Sequence, residues 1–185
     1  LLKIFKIGKK MTIKILDCTL RDGGYYNQWE FETNLVQDYL AVMAACKIDY
    51  VELGLRQFTN VSYLGAHAYT TSQYLNRLVL PDGPMYGAMV DAKTVLTKKL
   101  SQEDSIDQLF NDASSEKIGL VRVAAHFEEV EFCLPMLNRL KAKGYQVGLN
   151  IMQASLRNSE ELEALSALFA DWDCVDVIYF ADSLG

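Results

Sequence analysis

The sequence predicts an α/β protein with the architecture of a (β/α)8, or TIM, barrel that is interrupted after about its sixth strand. Six short apolar segments alternate with segments whose apolar residues recur at helical spacing. The apolar segments are mostly uninterrupted by polar residues, which is typical of parallel strands buried on both faces. An open doubly wound sheet is the less favoured alternative, because no glycine-rich dinucleotide loop follows the first segment.

The predicted strands begin about 30 residues apart, as expected for successive βα units. They cover residues 13–18, 50–54, 86–91, 119–125, 146–152 and 175–181. Helices are predicted from apolar stripes that include Leu35, Ile106, Val130 and Leu162. Ser159 is predicted to cap the last helix and Gly144 to end the third. Residues 56–84 exceed the length of one helix and predict an extra loop, in which His67 receives no role.

Two parts of the chain are distinguished by their composition. Residues 1–11 are basic and apolar, are interrupted by lysines, and are interpreted as a loose tail before or at Met11. Residues 12–185 are predicted to form one domain, the partial barrel. The last predicted strand lies immediately before the end of the chain, so we interpret this end as an interruption of the barrel.

Composition and charge exclude several classes of partner. Of the 185 residues, 50% are hydrophobic and 23% are charged, which is typical of a globular protein. A net charge of −6 argues against binding to nucleic acid, because phosphate recognition needs a basic surface. No apolar run is long enough to span a membrane. The four cysteines are widely spaced, which favours reduced thiols and a cytoplasmic location.

Charged residues cluster where the first predicted strand ends. Arg21 and Asp22 follow that strand within residues 16–24, and Glu52 lies inside the second strand. Ligands bind at the carboxyl ends of strands in parallel α/β folds. A carboxylate inside a buried strand needs a partner, and Arg21 on the adjacent strand is the expected one. A purely structural ion network is an equally open interpretation of these residues.

Polar residues also follow the fourth and fifth predicted strands. His126 is predicted to face the same opening, where it can act as an acid or base, although a hydrogen-bonded loop histidine is the somewhat favoured alternative. Asn150 closes the fifth strand and is expected either to orient substrate oxygens or to pack. These residues predict a small-molecule ligand.

Three short motifs resemble those of the HMG-CoA-lyase-like superfamily, also called the DRE-TIM metallolyases. Residues 17–23 resemble its D-x-T-L-R-D-G signature, residues 51–54 its E-x-G motif, and residues 181–185 its A-D-S/T-x-G motif. The motifs occur in order at predicted strand ends, and the resemblance covers nearly all of residues 12–185. The superfamily includes 4-hydroxy-2-oxovalerate aldolases and isopropylmalate synthases. This chain most resembles an aldolase subgroup with the sequence R-D-G-G-Y-Y.

The resemblance implies a lyase or aldolase that acts through a metal-bound enolate of an acyl thioester or a 2-oxo acid such as pyruvate. Asp22 matches the family's metal-binding aspartate, Arg21 the arginine that stabilises the enolate, and Glu52 the glutamate that holds this arginine. The implied cofactor is a divalent cation, Mg²⁺ or Mn²⁺, in the full-length parent protein. Asp182 and Ser183 fall in the third motif and are expected near the substrate or the metal.

The chain departs from the family pattern in its histidines. The family completes its metal site with a His-x-His pair, whereas neither His67 nor His126 lies in such a motif. We therefore expect the chain by itself to be inactive. The alternative hypothesis is a non-catalytic binding or assembly module derived from a barrel. Under either hypothesis, the open edges of a six-stranded sheet favour a homo-oligomer.

Overall fold

The computed structural model describes residues 12–59 and 62–182. Their strands form one parallel sheet in the order β1-β2-β3-β4-β5-β6, curled into part of a barrel with helices between the strands. The predicted α/β class and six-stranded partial barrel are thus confirmed. The strands are Leu16–Asp17 (β1), Tyr50–Leu55 (β2), Met85–Asp91 (β3), Leu120–His126 (β4), Gln146–Met152 (β5) and Val177–Ala181 (β6). The predicted tail and Ser183 lie outside the described residues.

Helices connect successive strands, and because all the strands run parallel, their carboxyl ends meet at one edge of the sheet. The α-helices are Thr19–Asn27 (α1), Thr33–Ala45 (α2), Ser72–Leu75 (α3), Ala92–Leu96 (α4), Gln102–Leu109 (α5), Leu134–Ala142 (α6) and Ser159–Phe169 (α7). Short 3-10 helices cover Ala66–Ala68, Ala113–Ser115, Phe127–Phe132 and Ala154–Leu156.

Strand β5 begins and ends at the predicted residues. The central strands contribute buried residues to the hydrophobic core. Val121, Val123 and Leu149 are fully buried, as expected for strands covered on both faces. None of the helices in the described part of the chain has the length and apolarity that a bilayer crossing requires.

The first strand is shorter than predicted. Only Leu16–Asp17 pairs with β2, whereas Ile13 and Ile15 are 85% and 54% exposed. Within the described residues β1 has one neighbouring strand, so little surface is available to bury the residues before Leu16. The sequence alone does not reveal that this apolar run lies at an edge.

Two helix predictions need correction. The predicted stripe from Val130 to Leu140 is split into a 3-10 helix, Phe127–Phe132, and α6. Pro135 lies in the first turn of α6, where its missing N–H leaves no internal hydrogen bond unmade. Gly144 has φ 89° and follows the end of α6, as predicted.

The cap of α7 is Asn158 and not the predicted Ser159. The Asn158 side chain accepts a hydrogen bond from the Glu161 backbone N–H, and the Glu161 side chain accepts one from the Asn158 backbone N–H. This reciprocal capping box is worth more than a single cap because it satisfies two otherwise unpaired donors. Ser159 is the first residue of the helix.

The segment after β2 folds back against that strand. His67 is completely buried, and its backbone oxygen would lie 2.0 Å from a Cβ atom placed on Gly54. The pairing of β2 with β3 shifts register between Glu52 and Leu55, which is the signature of a bulge. Gly54 is therefore required for the close approach of the two segments, and His67, which the sequence left unassigned, is a core residue.

Candidate active site

A cavity of about 570 Å³ opens at the carboxyl ends of the strands. Strands β3 to β6, the end of β2 and helix α1 all contribute to its wall, so residues far apart in the chain meet there. Its charged and amide side chains are Arg21, Asp22, Gln57, Asp91, Arg122, Asn150 and Asp182. This is the edge at which the sequence predicts a site.

Asp17 joins the end of β1 to the start of α1. Its Oδ1 accepts hydrogen bonds from the Thr19 backbone N–H at 2.9 Å and from the Tyr39 hydroxyl at 2.5 Å. Burial raises the pKa of Asp17, but these two hydrogen bonds outweigh it, so the pKa lies below its ordinary value. Asp17 thus fixes the first turn of the helix that carries Arg21 and Asp22.

Arg21 lies between two carboxylates at the cavity. Its Nε donates to Glu52 Oε1 at 2.7 Å, and its Nη1 lies 2.5 Å from Asp22 Oδ1. The Glu52 side chain is fully buried, whereas the Asp22 side chain is 60% exposed. Burial lowers the pKa of Arg21, but the charge of Glu52 outweighs that effect and the pKa is raised. The predicted contact between Arg21 and Glu52 is therefore present, but Arg21 reaches Glu52 from helix α1 and not, as predicted, from the adjacent strand.

Arg122 is the site residue that sequence reasoning missed. It lies in the interior of β4, is 4% exposed, and donates to Glu52 Oε2 at 3.0 Å and to Asn150 Oδ1 at 2.8 Å. The signal that could have found it is the one that singled out Glu52, a charged residue inside an otherwise apolar strand. Two guanidinium groups therefore share one buried carboxylate beside the cavity.

Cys18 borders this network without being a reactive thiol. Arg122 Nη1 lies 3.2 Å from its Sγ. Burial and the charge of Glu52 raise the pKa of Cys18 to about 11, against the opposing effect of the two nearby arginines. The thiol is protonated near neutral pH, and thiolate chemistry is therefore not expected here.

An aromatic wall covers the helix side of the cavity. Trp29 Nε1 donates to the Arg21 carbonyl at 3.1 Å, and Tyr25 packs edge-on against Trp29 with ring centroids 4.6 Å apart. A Cβ atom on Gly24 would lie 1.9 Å from Trp29 Cδ1. The second glycine of R-D-G-G is therefore needed to let the indole ring reach the cavity wall.

The remaining predicted site residues differ in their positions. Asn150, which is 7% exposed, and Asp182 both line the cavity, and Ser155 donates a hydrogen bond to Asp182 at 3.1 Å. His126 is absent from the described lining and caps the 3-10 helix Phe127–Phe132. Its predicted substrate role therefore gains no support from the geometry.

The described residues do not form a complete metal site. Within residues 12–59 and 62–182, no three His, Cys, Asp or Glu side chains are grouped as a metal centre requires. Asp22 supplies one partly exposed hard oxygen donor, which alone holds Mg²⁺ or Mn²⁺ only weakly. The donor set therefore does not fit the implied cation by itself.

Comparison with known proteins identifies several similar proteins, among them a curated protein and a solved structure. A protein of Mycobacterium tuberculosis (strain ATCC 25618 / H37Rv), named oxaloacetate decarboxylase, is 22% identical over 174 residues, which cover 92% of this chain and 48% of that protein. A crystal structure of the N-terminal domain of a provisionally assigned aldolase from Bacteroides vulgatus aligns with a TM-score of 0.72 and 25% identity, covering 90% of this chain and 53% of the other. The chain is similar to aldolase-like proteins.

The matches cover only part of each known protein. The chain spans about half the length of the curated relative and of the solved structure. No protein-family model matches the sequence, so the narrower superfamily that its motifs resemble remains a prediction. The two alignments cover 92% and 90% of this chain, and therefore most of the partial barrel.

Proposed function

We propose that the cavity is the active site of an aldolase or lyase that makes or breaks a carbon–carbon bond next to a carbonyl group. The observation that carries the proposal is the Arg21 guanidinium, held at the cavity by Glu52 at 2.7 Å and Asp22 at 2.5 Å. The similarity to proteins named as an aldolase and a decarboxylase supports the same class of reaction.

Arg21 has the chemistry that this reaction needs. When the bond is broken, its electron pair moves into the remaining fragment, which becomes an enolate with negative charge on oxygen. A fixed guanidinium near that oxygen stabilises the charge as it develops. Glu52 accepts a hydrogen bond from one of the five N–H groups of Arg21, and Asp22 forms an ion pair with its Nη1. Because both partners hold the side chain in place, the positive charge is already positioned before the reaction begins.

The proposed substrate is a 2-oxo acid such as pyruvate or a larger 2-oxo acid that yields it, or an acyl thioester. Arg21 and Arg122 place two guanidinium groups at the cavity, beside the carboxylates of Asp22, Asp91 and Asp182, and a guanidinium fork matches the carboxylate of a 2-oxo acid. The finer proposal is an aldolase of the HMG-CoA-lyase-like group related to 4-hydroxy-2-oxovalerate aldolase, supported by the resemblance of residues 17–23, 51–54 and 181–185. A divalent cation would supply Lewis-acid polarisation only where donors outside the described residues join Asp22.

Self-association is a separate part of the proposal. Within the described residues, β1 and β6 each pair with one strand, and Phe180 on β6 is 62% exposed. Edge strands with exposed apolar side chains favour pairing between chains. We propose a homo-oligomer, in the cytoplasm, and a clean monomer by light scattering at micromolar concentration would contradict the first part.

The function is tested by binding of oxalate, a planar dianion that mimics the enolate of pyruvate, measured by calorimetry. We expect Arg21→Ala to weaken oxalate binding at least about tenfold, because one charged hydrogen bond is worth that much. Arg139→Ala is the matched control, since Arg139 pairs with Asp107 on the surface. Equal affinities of the wild type and Arg21→Ala would overturn the proposal.

A second measurement separates catalysis from binding alone. Exchange of the methyl protons of pyruvate with D₂O reports enolate formation directly. We expect no exchange by this chain by itself, because its described residues do not complete a metal site. Oxalate binding without exchange would agree with the proposed site, whereas neither binding nor exchange would favour the non-catalytic module.

A further inference from the structure

Arg122 is a buried cation at a position where an apolar residue would cost less. It lies in the middle of β4, between Val121 and Val123, and is 4% exposed. Burying a guanidinium is unfavourable unless its donors are paired with good geometry. The side chains that pair with Arg122 therefore indicate its role.

The first partner is the carboxylate that also holds Arg21. Arg122 Nη1 donates to Glu52 Oε2 at 3.0 Å while Arg21 Nε donates to Oε1 at 2.7 Å. Each oxygen of Glu52 is thus bonded to a different arginine. With both oxygens engaged, the carboxylate cannot rotate without breaking a charged hydrogen bond, and its orientation sets the position of Arg21.

The second partner is an amide in the cavity wall. Arg122 Nη2 donates to Asn150 Oδ1 at 2.8 Å. A guanidinium can only donate, so the amide oxygen must face Arg122 and the Asn150 NH₂ group is left for other partners. Asn150 lines the cavity. The bond to Arg122 therefore leaves the NH₂ group of this amide available to a ligand.

Two further contacts fix Arg122 itself. Its guanidinium lies over the Tyr179 ring, 4.3 Å from the ring centroid, at a distance where cation and ring attract. Gly148 leaves room for both side chains, because a Cβ atom there would lie 3.0 Å from Arg122 Cγ and 3.1 Å from Tyr179 Cε2. Strands β2, β4, β5 and β6 therefore all contribute to holding one side chain.

We propose that Arg122 is a positioning residue for the cavity: it fixes Glu52 and Asn150 together, so that Arg21 and the Asn150 NH₂ group are presented to the same anionic oxygen of the ligand. The proposal rests on the enolate-stabilising function proposed above for Arg21. Arg122 acts through its two partners and need not touch the ligand.

The test follows the Arg21 Nε–H resonance by ¹H–¹⁵N NMR, assigned by its loss in Arg21→Lys. In the wild type we expect a shifted, slowly exchanging signal because this N–H is bonded to a buried carboxylate. In Arg122→Lys we expect that signal to move and to exchange faster, since one ammonium cannot reproduce the planar fork that joins Glu52 to Asn150. Oxalate binding should fall by about tenfold.

The control is Arg56→Lys, which changes another arginine that is 4% exposed and that lies outside the cavity lining. We expect it to lower stability but to leave the Arg21 signal and oxalate binding unchanged. If both variants shift the Arg21 signal alike, or if neither does, Arg122 has no specific positioning role and the proposal is wrong.

Asn150→Asp separates the two halves of the proposal. The aspartate still accepts from Arg122, so the Arg21 signal should persist, but it removes the donor and repels an anion, so oxalate binding should be lost. Unchanged oxalate binding in Asn150→Asp would overturn the role of the amide. Failure of the wild type to bind oxalate would count against the proposed function alone, because the Arg21 signal is measured without a ligand.

Discussion

Among the described residues, Arg122 and Arg56 are buried arginines that each pair with a glutamate, and the two pairs differ in what surrounds them. Arg122 and Arg56 are each 4% exposed, and the side chains of their partners, Glu52 and Glu116, are both fully buried. Arg122 lies 3.0 Å from Glu52, at the cavity, whereas Arg56 lies 3.5 Å from Glu116 and donates its shorter bond to the Leu109 carbonyl. Burial alone therefore does not distinguish a site from a structural clamp.

The distinguishing feature is how each carboxylate is shared. Glu52 is shared by two arginines that both line the cavity, and Asp22 also pairs with Arg21 there. Glu116 accepts from Arg56 and from the neutral side chains of Ser72 and Asn111. The first arrangement presents two guanidinium groups to open space, and the second holds the segment after β2 against the end of α5.

Removing the shared carboxylate should have the largest effect. In Glu52→Gln, two arginines with side chains 16% and 5% exposed lose their common counter-charge. We expect the free energy of unfolding, measured by urea denaturation, to fall by about 3 kcal/mol. A loss below about 1 kcal/mol would mean that the network is well solvated, which would remove the contrast with Arg56.

The cavity wall can be tested with a pair of neighbouring glycines. Gly24→Ala places a methyl group where Trp29 Cδ1 lies 1.9 Å away, so the indole must move. We expect a loss of about 2 kcal/mol and a shift in tryptophan fluorescence. Gly23→Ala is the matched control, because its Cβ would meet only Phe31 at 3.6 Å and helix propensity should raise stability by up to about 1 kcal/mol. Equal losses would contradict this account.

Replacing Glu116 should lower the free energy of unfolding by less than replacing Glu52 does. In Glu116→Gln the side chain can keep its hydrogen bonds from Ser72 and Asn111 through one oxygen, and the bond to Arg56 is already long. We expect a loss of about 1 kcal/mol and oxalate affinity equal to that of the wild type. Weaker oxalate binding in this variant would show that the two networks are coupled, and the comparison would fail.

The smallest expected effect is a change in the pH dependence of stability. It depends on His67, which lies in the 3-10 helix Ala66–Ala68. His67 Nδ1 donates to the Leu53 carbonyl at 2.5 Å and Nε2 accepts from the Tyr74 hydroxyl at 2.8 Å. Burial lowers the pKa of His67 below 6.5, against a smaller opposing effect of the Leu53 bond. A lowered histidine pKa gives stability that is complete above pH 6.5 and declines as the pH falls below that value.

The expected signature is a free energy of unfolding that falls as the pH decreases below 6.5. The slope cannot exceed about 1.4 kcal/mol per pH unit for one proton. Replacing His67 with asparagine should flatten it, because the buried imidazole that resists protonation is removed. A slope that persists in His67→Asn would assign it to carboxylates and not to this histidine.

Several features of the fold and site follow from local sequence rules. The sequence correctly predicts three features: the bounds of β5, the end of α6 before Gly144, and the contact of Arg21 with Glu52. Each depends on short-range patterning or on the pairing of a buried charge. Arg122 could have been found by the same charge argument. It was missed because no motif marked it.

Other features depend on tertiary context that the sequence does not display. The apolar run before Leu16 is exposed because β1 lies at an edge, and His67 is buried because the segment after β2 folds back on Gly54. His126 is the last residue of β4 and caps the 3-10 helix Phe127–Phe132, and it is not a described part of the cavity wall. Each outcome was decided by the position of a neighbouring segment.

The order of the strands has a consequence for how the protein assembles. Each strand pairs with the strand that precedes it in the chain, so the contacts are comparatively local and the sheet can grow one βα unit at a time during synthesis. Arg122 emerges after its partner Glu52 but before its partner Asn150. Glu52 can therefore neutralise the charge of Arg122 as soon as β4 pairs with the sheet. The hydrogen bond to Asn150 forms only when β5 is added.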